Sequence, residues 1–392
     1  MLPPDVHARE SKTAVFPGDL LFAKGGSIGN SAVVPKRITE ANISQDVIGA
    51  RVKATLDAYF AQAFLSSGPG VQQMVRWAQG NVHPHITNDA VRNVRLPLAR
   101  PAIQRAIGNK LRKAERLREL AAAARIRADQ VIGDLMRFGL AGKPFLNHGW
   151  RPKGTVDQDR LDAWFHRPEY VWRAKVLANQ RGLRSLKSIC KYVTKAANVR
   201  QWPSPTFDYF EIGGIDATTG EALCSAVPLS EAPSRAKYSV QAGDLLVSTV
   251  RPNLKKVGQI DPRRAGPGVA TSGFSVWRPP TPEIGAYLRA CLVHDVGVEQ
   301  MMRWNSGGTY PAIDADVPGR VLVPFDEEQA REVGHDLLNA LVSVRQAGWL
   351  VDAAKSTVEA LIDGTLDEAA LLAESDAIER WLAENPSPSK GA

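Results

Sequence analysis

Gln73-Met74-Val75-Arg76-Trp77 recurs as Gln300-Met301-Met302-Arg303-Trp304, and this long-period repeat limits the fold more tightly than any other feature. Gly80, Pro84, Ile86 and Pro97 match Gly307, Pro311, Ile313 and Pro324 at the same offset of 227 residues. Upstream, Gly18-Asp19-Leu20-Leu21 matches Gly243-Asp244-Leu245-Leu246 at an offset of 225. A small difference in loop length accounts for the change. A chain of 392 residues duplicated in this way is expected to build a similar globular unit twice.

A long helical pattern follows each copy. The first runs from about Pro101 to Phe138 and the second from about Glu327 to Ile362. Pro101 suits a first helical turn, where a missing N–H costs nothing. Asp326 with Gln329 three residues on makes a capping box. Apolar residues step by three and four through Leu117, Ala121, Ala124, Ala128, Val131, Leu135 and Phe138. They do the same through Val344, Ala347, Val351, Ala354, Val358 and Leu361. Such seams suit pairing as a coiled coil, and the alanines allow close approach. At 1.5 Å per residue each helix is roughly 55 Å long.

The chain therefore divides into a globular unit over 1–98, a helix over 99–140, a second unit over 145–325, a helical stretch over 326–384 and a loose tail over 385–392. Gly and Pro mark the linker between Gly139 and Trp150. Leu245–Val250 and Val321–Val323 read as strands and Ile284–Arg303 as one helix, so the fold class is α+β. The second unit runs some 80 residues, from Arg151 to Leu229, before its Gly-Asp-Leu-Leu region, and the first has fewer than 20. The first unit is thus expected to be incomplete at its front.

A net charge of +8 favours a polyanionic partner. Cys190, Cys224 and Cys291 are few and widely spaced, which argues for a reducing compartment and against a disulfide framework or zinc site. No stretch has the roughly 18–20 apolar residues that span a bilayer, and Met1–Asp5 does not open a signal peptide. The cytoplasm is the expected location.

Pro17–Lys24 and Ala242–Thr249 resemble the Gly-Asp-Leu-Leu strand of the specificity (S) subunits of type I restriction-modification enzymes. Trp304–Ile313 and Ala78–Ile86 resemble that family's late domain loop. Tyr209–Asp216 with Thr219-Gly220 resembles the early part of its domain, and only the second copy has it. The resemblance covers nearly the whole chain. It implies two target-recognition domains separated by two long helices pairing as an antiparallel coiled coil, with the first domain shortened. It also implies a non-catalytic subunit for phage defence that reads a bipartite site in double-stranded DNA. Its partners would be DNA methyltransferase (M) subunits, held on the helices, and a restriction/translocase (R) subunit. A second copy or a separate fragment would complete the first domain.

Within that reading, phosphate contacts supply affinity and base edges supply specificity. In the second unit Thr249, Arg251, Asn253, Lys255 and Lys256 form a basic loop after a strand: Arg suits guanine, Asn suits adenine and Lys suits phosphate. Lys195, Arg235 and Lys237 extend the candidate surface. In the first unit Lys24, Ser27 and Asn30 occupy the parallel loop. Lys110, Arg112, Lys113, Arg116 and Arg118 form a basic helix face, either partner surface or solvated charge. Trp77 and Trp304 are expected in the core, with Arg76 and Arg303 capping or pairing locally.

Other chemistries find little support. The pair His83-x-His85 has Tyr310 and Ala312 as its counterparts and no nearby ligands to complete a metal site. Asp5 with Glu10 and Lys12 is too closely spaced for a nuclease centre. No P-loop, dinucleotide fingerprint or amino-methyltransferase tetrad is present. No metal, cofactor or catalytic residue is expected. The competing reading is a helical scaffold whose globular units bind protein.

Overall fold

Strand and helix signals from the two copies fold into matching sets of elements. The computed structural model describes residues 10–80, 84–137, 160–306 and 308–387; the expected linker around 139–150 lies outside them, as do Asn81, Val82, His83 and Gly307. Strands β1 (Ala14–Val15), β2 (Leu20–Ala23), β3 (Ser31–Val33), β4 (Ala41–Asn42) and β5 (Val47–Ala50) come first. Helices α1 (Ala58–Leu65), α2 (Gly68–Arg76), α3 (Asn88–Arg92) and the long α4 (Pro101–Arg137) follow. Next are α5 (Pro168–Ala178), β6 (Leu183–Ser185), α6 (Leu186–Ile189), β7 (Lys191–Tyr192), β8 (Thr206–Ile215), β9 (Glu221–Pro228), β10 (Ala236–Val240), β11 (Leu245–Ser248), β12 (Val257–Ile260), β13 (Gly268–Thr271) and β14 (Phe274–Arg278). Helices α7 (Pro282–Val293) and α8 (Asp295–Met302), strand β15 (Leu322–Pro324), the long α9 (Glu327–Ile362) and α10 (Glu368–Glu384) complete the order.

Two compact units emerge, and their boundaries cut through the long helices rather than falling at their ends. The first unit takes residues up to Ala121 and from Val342 onward, and the second takes Ala122–Leu341. In the first unit, Ile103 and Ile107 share a core with Ala354 and Val358, while Ala114 and Leu117 share one with Ala347 and Leu350. Partners on α9 fall as positions on α4 rise, so this part of the helix pair is antiparallel. In the second unit, Ala128, Ile132 and Met136 join Ala330, Val333 and Leu337. The buried stripe there runs through Ile132 and Met136, with Val131 and Leu135 only half buried. A straight helix drifts away from a strict 3.5-residue seam, so a stripe stepping by four replaces it. Asp326 Oδ1 accepts from the Gln329 amide at 3.0 Å, as the capping signal requires.

The second unit is built on a sheet of order β10-β13-β8-β9-β12-β11-β14-β7. Strand β11, Leu245–Ser248, is buried at all four positions, as expected of a strand covered on both faces. After β7 the chain bridges the two ends of the sheet. The Val193 amide donates to Val276 O at 2.9 Å, and Lys195 O accepts from the Ser239 amide at 3.0 Å. The expected helix over Ile284–Arg303 is instead two helices, broken at His294, whose ψ is 147°. Gly297 makes the sharp junction feasible, since a Cβ there would lie 2.2 Å from Cys291 O. The first copy repeats the device, with Gly70 at 2.1 Å from Phe64 O.

Correspondence between the copies extends to individual hydrogen bonds. Gly18 and Gly243 have φ of 89° and 82°, in the left-handed region glycine permits. Asp19 Oδ2 accepts from the Phe16 amide at 3.0 Å, and Asp244 Oδ2 from the Gln241 amide at 2.9 Å. Gln73 clamps both backbone groups of Arg95, and Gln300 clamps both of Leu322. β2 lies between β3 and β5 as β11 lies between β12 and β14. The register Ala14↔Asn42 in β1–β4 repeats Ser239↔Val269 in β10–β13. Among the described residues, the first copy has no counterpart of α5, β6, α6, β7, β8 or β9.

Candidate nucleic-acid interface

At one end of the second unit's sheet, four separate stretches of sequence meet. Arg235 O accepts from the Ser272 amide at 2.8 Å, which ties the start of β10 to the β13–β14 turn. Gly273 O in that turn accepts from the Thr249 amide at 2.9 Å, so the β11–β12 loop joins the same end. The Arg251 amide donates to Pro311 O at 2.7 Å and the Ile313 amide to Thr249 O at 2.9 Å, bringing in the late Gly-rich loop. Lys195 and Lys237 lie on the neighbouring edge, where the Ala197 amide donates to Lys237 O at 2.7 Å. Both are exposed, as is Arg235. Lys237 Nζ lies 4.9 Å from the centre of the Tyr238 ring.

The β11–β12 loop is held in an unusual shape. Among the described residues, the non-glycine residues with positive φ are Arg251 at 50° and Lys255 at 57°. Each left-handed residue costs on the order of 1 kcal/mol, so surrounding structure has to hold it. Pro252 is buried between them, and the Leu254 and Lys255 amides close a short 3-10 turn onto Arg251 O and Pro252 O. The guanidinium of Arg251 stacks over Tyr310, 4.4 Å from the ring centre. Arg251 and Asn253 are exposed, Val250 is 42% exposed, Leu254 50% and Tyr310 63%. The result is a hydrogen-bonded tip that exposes a guanidinium, a side-chain amide, an aromatic face and aliphatic side chains. Arg160 braces the base of the late loop by donating to Trp304 O at 3.1 Å and Asn305 O at 3.0 Å.

Several sequence candidates are occupied elsewhere. Thr249 is buried and its hydroxyl donates to Gly273 O at 2.9 Å, so it supports the loop from within. Lys256 Nζ donates to Ile215 O at 2.7 Å. Lys255 pairs with Asp295 at 2.7 Å, an exposed pair that a phosphate can replace at little cost. In the first unit the parallel loop turns through Gly26 and Gly29, both at positive φ. Ser27 and Asn30 are exposed there, while Lys24 is half buried and its carbonyl accepts from the Ile86 amide. That bond is the counterpart of the one between Ile313 and Thr249.

The basic face expected on α4 is largely consumed inside the first unit. Lys110 is buried and paired with Glu374. Arg112 binds Asp57 and lies over Tyr59. Lys113 sits over Trp381, and Arg116 donates to Asn385 O and pairs with Glu119. Arg118 alone of these is exposed. Helix α10 and its C-cap bring Glu374, Trp381 and Asn385, and the helix pattern on α4 does not reveal them. The two Trp residues of the repeat also part company. Trp304 packs edge-on against Phe165, whereas Trp77 is 49% exposed rather than in the core. Arg303 stacks on Phe165, 4.0 Å from its ring centre. Tyr310, Val250 and Leu254 share this exposed tip without having been singled out from the sequence; an aromatic residue inside a Gly-rich loop was the available signal.

No helix among the described residues is long and apolar enough to cross a membrane. No family model matches the chain, and no curated protein matches it. Solved structures do. The S subunit of a type I restriction-modification system from M. genitalium aligns over 92% of this chain and 83% of its own, at 16% identity and a TM-score of 0.42. A structure on complex assembly and conformational transition of a type I restriction-modification system covers 93% and 82%, at 17% identity and a TM-score of 0.29. The HsdS subunit from Thermoanaerobacter tengcongensis covers 90% and 82%, at 16% identity and a TM-score of 0.29.

Proposed function

We propose that this chain is a non-catalytic DNA-recognition subunit of a type I restriction-modification system. It reads a bipartite site in duplex DNA and directs methyltransferase and restriction subunits there. The observation that carries this reading is the strained loop tip at Arg251–Lys255, stacked on Tyr310 and placed beside Arg235, Lys237 and Lys195. Backbone strain held in place by a surrounding scaffold marks a functional site more often than a structural one. Its side chains match the donors that read base edges, and the neighbouring cations match phosphates. A net charge of +8 suits the polyanion.

Methylation mapping of the host with and without the chain tests the whole reading: a two-part motif should vanish when the chain is absent. Duplex binding by the chain with its methyltransferase tests the tip. Arg251→Ala should weaken binding roughly 10- to 100-fold and relax one base position. Lys255→Ala should lower the slope of log affinity against log salt by about 1 and leave specificity intact. An unchanged methylation pattern, with no salt-dependent duplex binding, would favour the protein-binding scaffold instead.

A further inference from the structure

The first unit carries an apolar cavity of about 310 Å³ between its sheet and α1, lined by Leu20, Phe22, Ala50, Leu65, Val94 and Leu96. In the second unit the chain's own Leu183–Tyr192 segment packs at the equivalent place. There, the counterparts Leu245, Val247, Trp277, Leu292, Val321 and Val323 belong to one core with Leu183, Leu186 and Tyr192. Leu186 is fully buried. β6 pairs with β15, β7 pairs with β14, the Leu186 amide donates to Val321 O at 2.9 Å, and Tyr192 stacks on Trp277 at 4.7 Å.

Leu20, Phe22 and Leu65 are buried in the first unit as their counterparts are in the second, and exposure differs along the stretch that precedes the long helix. Val321 and Val323 are 1% and 0% exposed, while their counterparts Val94 and Leu96 are half buried. Phe325 is half buried and its counterpart Leu98 is fully exposed. Among the described residues, the outer edge of β5 has no strand partner, where β14 has β7. Open strand edges beside an apolar pocket accept extended peptides, with backbone bonds giving affinity and the pocket selecting side chains.

We propose that this cavity is a receptor for a peptide segment with the strand–turn–strand pattern of Leu183–Tyr192, seating a leucine between β2, α1 and the Val94–Leu96 stretch. The inference rests on the internal repeat and stands apart from the DNA reading. Charge refines the pattern. Lys191 lies directly opposite Arg278 in the second unit, where Asp244 already holds that arginine in two hydrogen bonds. Its counterpart Arg51 is 69% exposed and meets Asp19 at 3.4 Å, and exposed Lys53 lines the same cavity. Side chains directly opposite on paired strands interact, and like charges there repel. The partner segment therefore carries a carboxylate at the Lys191 position.

A fluorescent peptide spanning residues 181–194 tests this against the full chain by anisotropy, with hydrogen exchange locating the contact. We expect saturable binding at one peptide per chain and new protection at Val47–Ala50 and Val94–Pro97. Lys191→Glu in the peptide should tighten binding roughly two- to fivefold at low salt, and Leu186→Asp should weaken it at least about tenfold. Both changes sit in the peptide, so folding of the receptor does not enter. No saturable binding, indifference to Leu186→Asp, or protection confined to the second unit would overturn the proposal. So would a free chain that is already dimeric with Val94–Pro97 protected, since a second copy would then be the occupant.

Discussion

Asp19 and Asp244 hold the same position in the two copies, yet their removal should cost unequal amounts. Asp244 is fully buried and grips Arg278 through both carboxylate oxygens, at 2.7 and 2.8 Å. The pairing pushes the Arg278 guanidinium pKa above its ordinary value, hydrogen bonding being the larger cause. Removing one partner of a buried pair costs about 3–5 kcal/mol. Arg278 is 33% exposed and partly rehydrates, which favours the lower end, and the lost bond to the Gln241 amide adds about 1 kcal/mol. Asp244→Ala should therefore destabilise the second unit by about 3–4 kcal/mol. Asp19 meets Arg51 through one 3.4 Å contact to a side chain 69% exposed, a pair of a kind that contributes about 0–1 kcal/mol. With about 1 kcal/mol for the Phe16 amide, Asp19→Ala should cost about 1–2 kcal/mol. Native-state hydrogen exchange resolves the units separately, which a global melt of a two-unit chain does not. The readout is the opening free energy of amides in β2 and β11. Equal losses in the two units, or a loss below about 1 kcal/mol for Asp244→Ala, would refute the burial argument.

Two further outcomes follow from the same coordinates. Gly70→Ala and Gly297→Ala each place a methyl group against a backbone carbonyl, at 2.1 and 2.2 Å; each should destabilise its own unit by about 2 kcal/mol or more, and a change within 0.5 kcal/mol at either site in the same exchange assay would count against the shared helix junction. Cys224 is exposed while Cys190 and Cys291 are buried, so an aromatic disulfide reagent should titrate one thiol in the native chain and three after denaturation. Burial pushes both buried thiols up to about 12, so the native state keeps protons that the unfolded chain releases. Stability from this source is intact below the ordinary thiol range and falls as pH rises toward 12, by up to about 1.4 kcal/mol per pH unit for each thiol. Cys291→Ala should shed half of that alkaline slope, and a variant with the wild-type slope would show the thiol plays no part.

What the sequence disclosed, and what it hid, divides along physical lines. The duplication was legible because its framework makes demands that few residues meet. Gly18 and Gly243 sit at positive φ, Asp19 and Asp244 close the turns after them, and Gln73 and Gln300 clamp a passing backbone. Those residue types leave a mark wherever the framework recurs. The long helices were legible from their apolar steps, but not the point near Ala128 where the buried stripe moves to Ile132 and Met136. The fate of Lys110, Arg112, Lys113 and Arg116 was hidden because a charge reports nothing of partners distant in sequence. Glu374, Asp57, Trp381 and Asn385 meet them only after folding. Thr249 and Lys256 looked like reading residues for the same reason. Their partners, Gly273 O and Ile215 O, are backbone atoms with no sequence signature.

Where the copies differ is more informative for function than where they agree. Framework bonds recur almost atom for atom, but the loop ends they support carry different chemistry. Lys24 and Gly25 of one copy stand where Thr249 and Val250 stand in the other, and His85 stands where Ala312 does. One loop turns on two glycines, while the other turns on left-handed Arg251 and Lys255 around a buried proline. A duplication kept only for packing has no reason to hold its scaffold fixed while its exposed tips diverge. Two readers of different sequences do have such a reason, because base discrimination resides in the tip side chains and not in the frame that aims them. Under the proposed function the two halves of the DNA site then differ in sequence. The half assigned to the first unit should also depend on whatever fills the cavity beside Leu20 and Val94, because an unbraced sheet edge cannot hold its loops to the same tolerance. Methylation mapping with that cavity blocked by Val94→Trp, at a half-buried lining position, separates the two ideas. Loss of one half of the motif supports both, and an intact motif retains the readers while removing the need for an occupant.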